Sequence, residues 1–132
     1  MTEPGARPRV RTAIEEPRRR VLVTIHDEYV SPRFDLTTEV LVVELAVDGA
    51  VLSRRTVVLP ESSAEALCHL VISDGVDEVI CGAMEEEYYQ YLTWKKVRVI
   101  DSVVAEWEEA LAMHQAGDLT DGDVMIRPVG EG

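Results

Sequence analysis

Two short polar segments of the sequence carry side chains that could bind a metal. His26 and Asp27 follow the apolar run 21–25, and Cys81 and Met84 follow a second apolar run. Imidazole, thiolate and thioether groups are ligands that soft or borderline metals accept, and a neighbouring carboxylate can orient an imidazole for that role. In the alternative interpretation, Cys81 and Met84 fill the core and His26 only hydrogen-bonds its own loop. The sequence has neither a C-x-x-C nor an H-x-x-x-H pair, the spacings most typical of metal sites.

Carboxylates around the first segment indicate a second chemistry. Asp27, Glu28 and Asp35 could help to hold the two divalent cations of a nuclease-like site. Such a site also needs carboxylates at the end of the fourth predicted strand, whereas Asp77 and Glu78 stand at its start. A two-metal hydrolase is therefore disfavoured.

A catalytic cysteine is disfavoured as well. Cys81 is followed by Glu85, Glu86 and Glu87. Negative charges nearby raise the pKa of a thiol and so reduce its nucleophilic thiolate form. We therefore predict that the protein is not an enzyme.

The elements that must position these residues alternate between strands and helices. The run 21–25 predicts a buried strand, and residues 37–59 predict a β-hairpin around the turn pair Asp48-Gly49. Ser62 and Glu65 form the pattern of a capping box in front of a first helix. The next strand ends at Cys81.

The remainder of the chain predicts one more strand between two helices. Residues 85–94 have helical periodicity, and residues 96–100 are typical of a short strand. Ser102 is the expected cap of a last helix that Gly117 ends. Four aromatic residues lie on the helix over 85–94; Tyr88 and Tyr91 are expected in the core, and Tyr89 and Trp94 on a surface for a partner or for self-association.

This order predicts an α/β fold with a five-stranded mixed sheet and helices on both faces. Crossovers through helices require parallel strand pairs, and the hairpin requires an antiparallel one. The carboxyl ends of the first, fourth and fifth strands then meet at one edge, where ligands of α/β sheets bind. His26 and Cys81 are expected at that edge.

Composition and charge restrict the partners. Among 132 residues, 46% are apolar and two are cysteines, so one domain with reduced thiols is expected. Six Arg and three Glu give residues 1–20 a charge of +3, which leaves −15 for the remainder of a chain whose net charge is −12. An acidic domain repels nucleic acid. The sequence has no membrane-spanning run and no signal peptide, so we expect a cytoplasmic protein.

The ends of the chain differ from its centre. Residues 1–20 are rich in Arg, Pro and Gly and predict a flexible leader, and residues 120–132 predict a flexible tail. The domain is expected over residues 21–119.

The segment VLVTIHDEYVSPRFDLTTEVLVVEL resembles the opening of the dinitrogenase iron-molybdenum cofactor biosynthesis family, which includes NifX-like carriers, NafY-like carriers and the C-terminal domain of NifB. Its V-S-x-x-F core is Val30, Ser31 and Phe34. The segments DGVDEVICGAM and VRVIDSVVAEWEEALAMHQAGDL resemble later parts of the same family. The resemblance covers about residues 21–119 and implies a ribonuclease-H-like fold.

The resemblance also implies a function in nitrogen fixation. Family members carry or handle the iron-molybdenum cofactor or related metal clusters without catalytic turnover. Carried over to matching positions, this implies a cofactor-binding site with His26 and Cys81 as metal ligands; its residues are His26, Asp27, Ser31, Arg33, Phe34, Cys81, Gly82 and Met84. The expected partners are a metal cluster, such as the iron-molybdenum cofactor or an iron-sulfur cluster, or a cluster-assembly protein.

Two departures from the family pattern support an alternative. Arg33 stands where many relatives have His, and Cys81-Gly82-Ala83-Met84 followed by three Glu replaces a glycine-rich loop. These carboxylates suit the positive end of a helix but compete with an anionic ligand. In the alternative, the domain is a protein-interaction module that has lost the cofactor and binds a protein, or a second copy as a homodimer, through its leader or its aromatic residues.

Overall fold

The computed structural model describes residues 18–124. Most of the predicted leader and tail, residues 1–17 and 125–132, lie outside the described residues. The first strand begins at Arg19, two residues before the predicted start. Within the described part of the chain, no helix is long and apolar enough to cross a bilayer.

The described residues form six strands and three α-helices in mixed order. The strands are β1 (Arg19–His26), β2 (Tyr29–Val30), β3 (Glu39–Leu45), β4 (Val51–Val58), β5 (Glu78–Ile80) and β6 (Arg98–Ile100). The helices are α1 (Ala64–Ser73), α2 (Glu86–Trp94) and α3 (Trp107–Gln115). A short 3-10 turn covers Phe34–Leu36.

The strands form one mixed sheet in the order β4-β3-β1-β5-β6. β1 pairs in parallel with β5, and β5 in parallel with β6, whereas β3 is antiparallel to both β1 and β4. The predicted mixed α/β architecture is confirmed, but the strand count differs from five. After His26 the chain turns back through Asp27, at φ 55°, and Tyr29–Val30 pairs antiparallel with the end of β1 as a sixth strand.

Each face of the sheet has its own apolar core. Helices α1 and α2 cover one face, where Leu22, Leu67 and Leu92 are fully buried. Helix α3 covers the other, against Val21 and Val23. Successive side chains of β1 point alternately into the two cores, because this central strand is covered on both faces.

Two predicted helix caps are wrong. Ser63, not Ser62, caps α1, and its hydroxyl accepts a hydrogen bond from the Ala66 amide at 3.1 Å. Ser102 does not cap α3, which begins at Trp107. Ser102 instead has φ 61°, and the residues after it are held by backbone bridges to β2 and to residue 124. These long-range contacts override a local capping signal.

The aromatic residues of α2 are rotated relative to the prediction. Tyr88 and Tyr89 are half-buried against the core, whereas Tyr91 is 40% exposed and Trp94 is 71% exposed. The helix buries Leu92, which shares a face with Tyr88 and Tyr89, four and three residues before it. Since that face is centred between these three positions, position 91 lies beyond its edge and is exposed.

A buried ionic cluster lies at the amino end of the parallel strands. The Glu78 carboxylate is buried, with Oε1 2.5 Å from Nε2 of His114 and Oε2 3.5 Å from Arg19 and 3.4 Å from Arg98. The pKa of Glu78 is lowered chiefly by its hydrogen bond with His114, although burial opposes this shift. We call these four residues the amino-edge cluster.

Candidate functional site

Two loops near the carboxyl edge of the sheet form the candidate site. One is the segment 31–34, which follows β2 and returns beside the last residues of β1, and the other is the segment 81–84, which follows β5. The Ala83 amide donates to the Pro32 carbonyl at 2.8 Å, and the Phe34 amide donates to the Ala83 carbonyl at 2.9 Å. The fold therefore joins the two segments that the sequence indicated, and we refer to them together as the loop pair.

Gly82 allows the loop pair to close. A Cβ atom at this position would lie 2.4 Å from the Ser31 carbonyl oxygen and 2.5 Å from the Pro32 carbonyl oxygen. Both neighbours are backbone atoms that cannot rotate away. Gly82 is thus a packing requirement of the site and needs no ligand to explain it.

Ser31 serves the loop itself. Its side chain is buried, and its hydroxyl donates to the Arg33 carbonyl at 3.2 Å. The Thr37 hydroxyl lies 3.0 Å from the Ser31 hydroxyl and 2.8 Å from the same carbonyl. These contacts fix the turn before the 3-10 segment.

Phe34 and Met84 belong to the core below the loops. Phe34 is 1% exposed, and its ring centroid is 6.4 Å from that of Tyr88. Met84 is half-buried against the same cluster. Both therefore anchor the loop pair on α2 and present little surface to a ligand.

Arg33 is the charged residue of the loop pair. Its guanidinium donates to both carboxylate oxygens of Asp35, at 3.0 Å from Nε and 2.6 Å from Nη2. This hydrogen bond is the main reason that the pKa of Arg33 is raised. The side chain remains solvent-exposed, but its charge is balanced within the loop.

His26 lies at the open end of β1. Its side chain is 75% exposed, and Nε2 is 3.8 Å from a carboxylate oxygen of Asp27, too far for a hydrogen bond. The Asp27 carbonyl accepts a hydrogen bond from the Trp107 indole at 3.2 Å, which ties the turn to α3. The imidazole is therefore accessible, but Asp27 does not hold it.

Cys81 lies on the adjacent strand end but inside the molecule. The residue is 0% exposed and belongs to the core under α1 and α2. Burial, followed by the charges of Asp101 and Asp121, holds the pKa of its thiol far above the ordinary value. A metal ligand would have to be a thiolate, so its use as one requires this part of the core to open.

An acidic pair at the end of β6 was not predicted. The Asp101 amide donates to a carboxylate oxygen of Asp121 at 3.3 Å. The pKa of Asp101 is raised by burial and then by the charge of Asp121. Ser102, beside it, donates its amide to the Gly82 carbonyl at 2.9 Å. Only the position of Asp101 at a strand end was visible in the sequence, because its partner comes from the returning chain twenty residues later.

The assignment of His26 and Cys81 as metal ligands stays a prediction. Within residues 18–124, no three side chains of the His, Cys, Asp and Glu types are grouped for a metal ion. The parallel pairing of β1 with β5 places the two residues at one edge of the sheet, as expected. One of them faces solvent and the other faces the core.

Comparisons with known proteins identify the fold. No protein-family model matches the chain, and no curated protein matches it at a significant level. Among solved structures, the crystal structure of PH0822 is similar with a TM-score of 0.70 and 17% identity, over 77% of this chain and 93% of that one.

Two further solved structures carry Nif-related names. The crystal structure of MJ0327 from Methanocaldococcus jannaschii, provisionally named a dinitrogenase, has a TM-score of 0.64 and 17% identity over 83% of this chain and 96% of that one. The NMR structure of TM1290 from Thermotoga is provisionally named a NifB protein of the DUF35 family. It has a TM-score of 0.61 and 18% identity, over 83% of this chain and 97% of that one. The chain shares its fold with these three proteins over nearly their whole lengths.

Proposed function

We propose that this protein is a non-catalytic accessory protein with a ribonuclease-H-like fold, and that the carboxyl edge of its sheet binds a metal cluster of the iron-sulfur or iron-molybdenum type. The strand order and the mixed directions of the sheet support the fold assignment. The Nif-related names of MJ0327 and TM1290 support a connection to nitrogen-fixation cofactors. In this proposal, the cluster is cargo.

The observation that carries the proposal is the loop pair beside an exposed imidazole. The hydrogen bonds through Ala83 and the close approach of Gly82 fix two strand ends to each other. His26 ends β1 at the same edge, where it pairs with Tyr29 of β2, and its imidazole is exposed. Rigid support and an accessible nitrogen ligand are what a carrier needs to accept and release a cluster.

The residues of the site would divide into two groups. His26 would ligate the cluster, and Arg33 would offer a positive charge to it. Ser31, Phe34, Gly82 and Met84 would hold the platform, since their contacts are internal to the loop pair and its core. Cys81 would become a second ligand only if the buried strand end opened.

Anaerobic reconstitution tests this proposal. The purified protein is offered an iron-sulfur or iron-molybdenum cluster, and absorption and metal content are compared with His26→Ala and Cys81→Ser variants. His69→Ala is the matched control, because His69 is also exposed but lies on α1. We expect bound metal in the parent and the control and a loss in His26→Ala.

Two outcomes distinguish the roles of the ligands. If Cys81→Ser also loses bound metal, the core opens around the cluster. Absence of bound metal from the parent protein would refute the carrier proposal.

A second candidate function is favoured by the charge of the edge. Asp101 and Asp121 flank Cys81, and Glu85 to Glu87 follow the loop pair, so an anionic cluster meets a negative field there. A protein-interaction module of the same fold avoids this conflict. If the unsubstituted protein captures a specific protein, and neither of the two contains metal, this second function is favoured over the first.

A further inference from the structure

A groove between α1 and α2 lies apart from the loop pair. Its volume is about 450 Å³, and it is lined by Glu65, Cys68, His69, Ile72, Glu87, Tyr88 and Tyr91. Among residues 18–124, the lining has two carboxylates and no Lys or Arg. We call it the helix groove.

The electrostatic environment of the groove is negative. Glu65 adds to burial in raising the pKa of Cys68 to about 11. The pKa of Tyr88 is also raised, first by burial and then by Glu87 and Glu65. Such a field favours a cationic occupant and disfavours an anionic one.

Aromatic faces at the end of the groove are accessible to cations. The rings of Tyr91 and Trp94 are 6.3 Å apart, and both are exposed. The Lys95 ammonium already lies over them, 5.1 Å from the Trp94 ring centroid and 5.9 Å from that of Tyr91. An arginine side chain prefers such faces more strongly than lysine does.

The chain's own N-terminal segment has the complementary chemistry. Residues 7–11 read Arg-Pro-Arg-Val-Arg, with a positive charge at every second position. An extended segment with this spacing would place the three guanidinium groups on one side.

The first described residues of the chain lie near one end of the groove. Arg20 donates to the carbonyl of Asp74 at 2.6 Å, and Asp74 is two residues after Ile72 of the groove lining. The seven residue-to-residue steps from Arg11 to Arg18 can span about 23 Å when extended. The lining on α1 runs from Ile72 back to Glu65, a helical distance of about 10 Å. The segment is therefore long enough to reach the groove.

We propose that residues 7–11 dock in the helix groove of the same molecule, with Arg side chains against Glu65, Glu87 and the ring of Tyr91. The contact covers an acidic aromatic surface that would otherwise be free for a basic partner. It needs little intrinsic affinity, because attachment to the same chain gives an effective concentration on the order of millimolar. This contact is independent of metal binding at the carboxyl edge.

Limited trypsin digestion of the full-length protein tests the contact. Trypsin cleaves after Arg9 and Arg11, and mass spectrometry separates these cuts from others. The test variant is Glu65→Gln with Glu87→Gln. Glu108→Gln with Asp118→Asn is the control, since it removes two exposed charges on the α3 side of the molecule.

We expect cleavage about fivefold faster in the test variant than in the parent, which corresponds to two partly exposed ion pairs. The control should match the parent, and added salt should remove the difference. Equal cleavage rates in all three proteins would overturn the proposal. Protection that increases with protein concentration would assign the groove to the segment of a second copy and overturn contact within one chain.

A second measurement covers the case in which protection arises elsewhere. Amide NMR spectra of the full chain are compared with those of the Arg7→Ser, Arg9→Ser, Arg11→Ser variant. Docking predicts shifts for amides of α1 and α2 around His69 and Tyr91 and none for α3. Shifts that miss both helices would refute the groove as the binding surface.

Discussion

The two ends of the parallel strands are stabilised by different interactions. At the amino edge, the buried Glu78 carboxylate is hydrogen-bonded to His114 and faces the guanidinium groups of Arg19 and Arg98. At the carboxyl edge, backbone hydrogen bonds and a close glycine contact hold the loop pair. The amino edge should therefore respond to pH, while the carboxyl edge should respond to added volume.

Left-handed backbone occurs at both edges of the sheet. Asp27 and Ser102, with φ values of 55° and 61°, stand just beyond the carboxyl ends of β1 and β6, and Lys96, with φ 70°, stands two residues before the amino end of β6. Such conformations cost about 1 kcal/mol or more in residues other than glycine. Among the described residues, the two edges therefore differ in their side-chain and backbone contacts and not in backbone strain.

Gly82→Ala should produce the largest loss of stability. The added methyl group would lie 2.4 to 2.6 Å from backbone atoms of Ser31 and Pro32, so the two loops must separate. We expect a loss of about 3 kcal/mol, the upper range for an overpacked site. Urea denaturation would measure it.

Gly122→Ala separates this effect from backbone conformation. Gly122 has φ +80°, and among residues 18–124, its two chain neighbours aside, no atom lies within 4 Å of the position that an added methyl group would take. Gly122→Ala should therefore lower the free energy of unfolding by about 1 kcal/mol, which is the cost of holding an alanine in the left-handed conformation. Similar losses in both variants would contradict the close-packing explanation of the loop pair.

Glu78→Gln should produce the next largest loss and should act at the opposite edge. The variant loses charge-assisted hydrogen bonding to His114, for which we expect about 2 kcal/mol at neutral pH. The two arginines are about half exposed and can return to solvent, which limits the cost.

The pH dependence of the same variant gives a sharper measurement. The folded-state pKa of Glu78 lies below its ordinary value of 4.5, so its contribution is complete above that pH and is lost as the pH falls through the folded pKa. The parent and Glu78→Gln should therefore approach each other in free energy of unfolding below about pH 4.5. If the difference in free energy of unfolding between the parent and Glu78→Gln stays constant down to about pH 3, the lowered pKa of Glu78 is contradicted.

Much of the fold could be predicted because its signals are local. The Asp48-Gly49 turn, the apolar run of β1 and the alternation of strands with helices indicated a mixed α/β sheet, as the structure has it. The start of α3 could not be predicted from Ser102, because backbone contacts to distant segments hold residues 103–106 outside the helix. Strand β2 was missed because two residues give no periodicity.

The site was predictable in position but not in orientation. His26 and the segment 81–84 lie at the carboxyl edge because β1 and β5 are parallel, and the antiparallel strand β2 brings the segment 31–34 beside them. The sequence could not reveal that Cys81 turns into the core or that Arg33 pairs with Asp35. The partnership of Asp101 with Asp121 also depends on how the chain returns after α3. Such contacts join residues whose separation leaves no pattern.

Cys81→Ser should have a moderate effect and tests the burial of the carboxyl edge. A hydroxyl without a new partner in this core should cost about 1.5 kcal/mol. Cys68→Ser is the matched comparison and should cost less, because Cys68 lines the helix groove. Equal losses would indicate that Cys81 is more accessible than the structure has it.

The thiol of Cys81 also predicts a change at alkaline pH. Its folded pKa is above the ordinary value of 9.0, so its contribution is present below that pH and is lost as rising pH ionises the unfolded thiol. Above pH 9, the parent should therefore lose stability more steeply than Cys81→Ser. Parallel curves in urea denaturation would argue against a buried thiol.

Arg33→Gln should have the smallest effect on folding and the clearest separation between folding and binding. The Arg33 and Asp35 pair is solvent-exposed at the guanidinium, and exposed pairs contribute little to stability. The urea midpoint should stay unchanged, with Asp35→Asn as the partner control. If Arg33 presents its charge to an anionic cluster, metal content after reconstitution should fall in Arg33→Gln and rise or stay constant in Asp35→Asn, since that change frees the guanidinium. Equal metal content in all three proteins would leave Arg33 without a binding role.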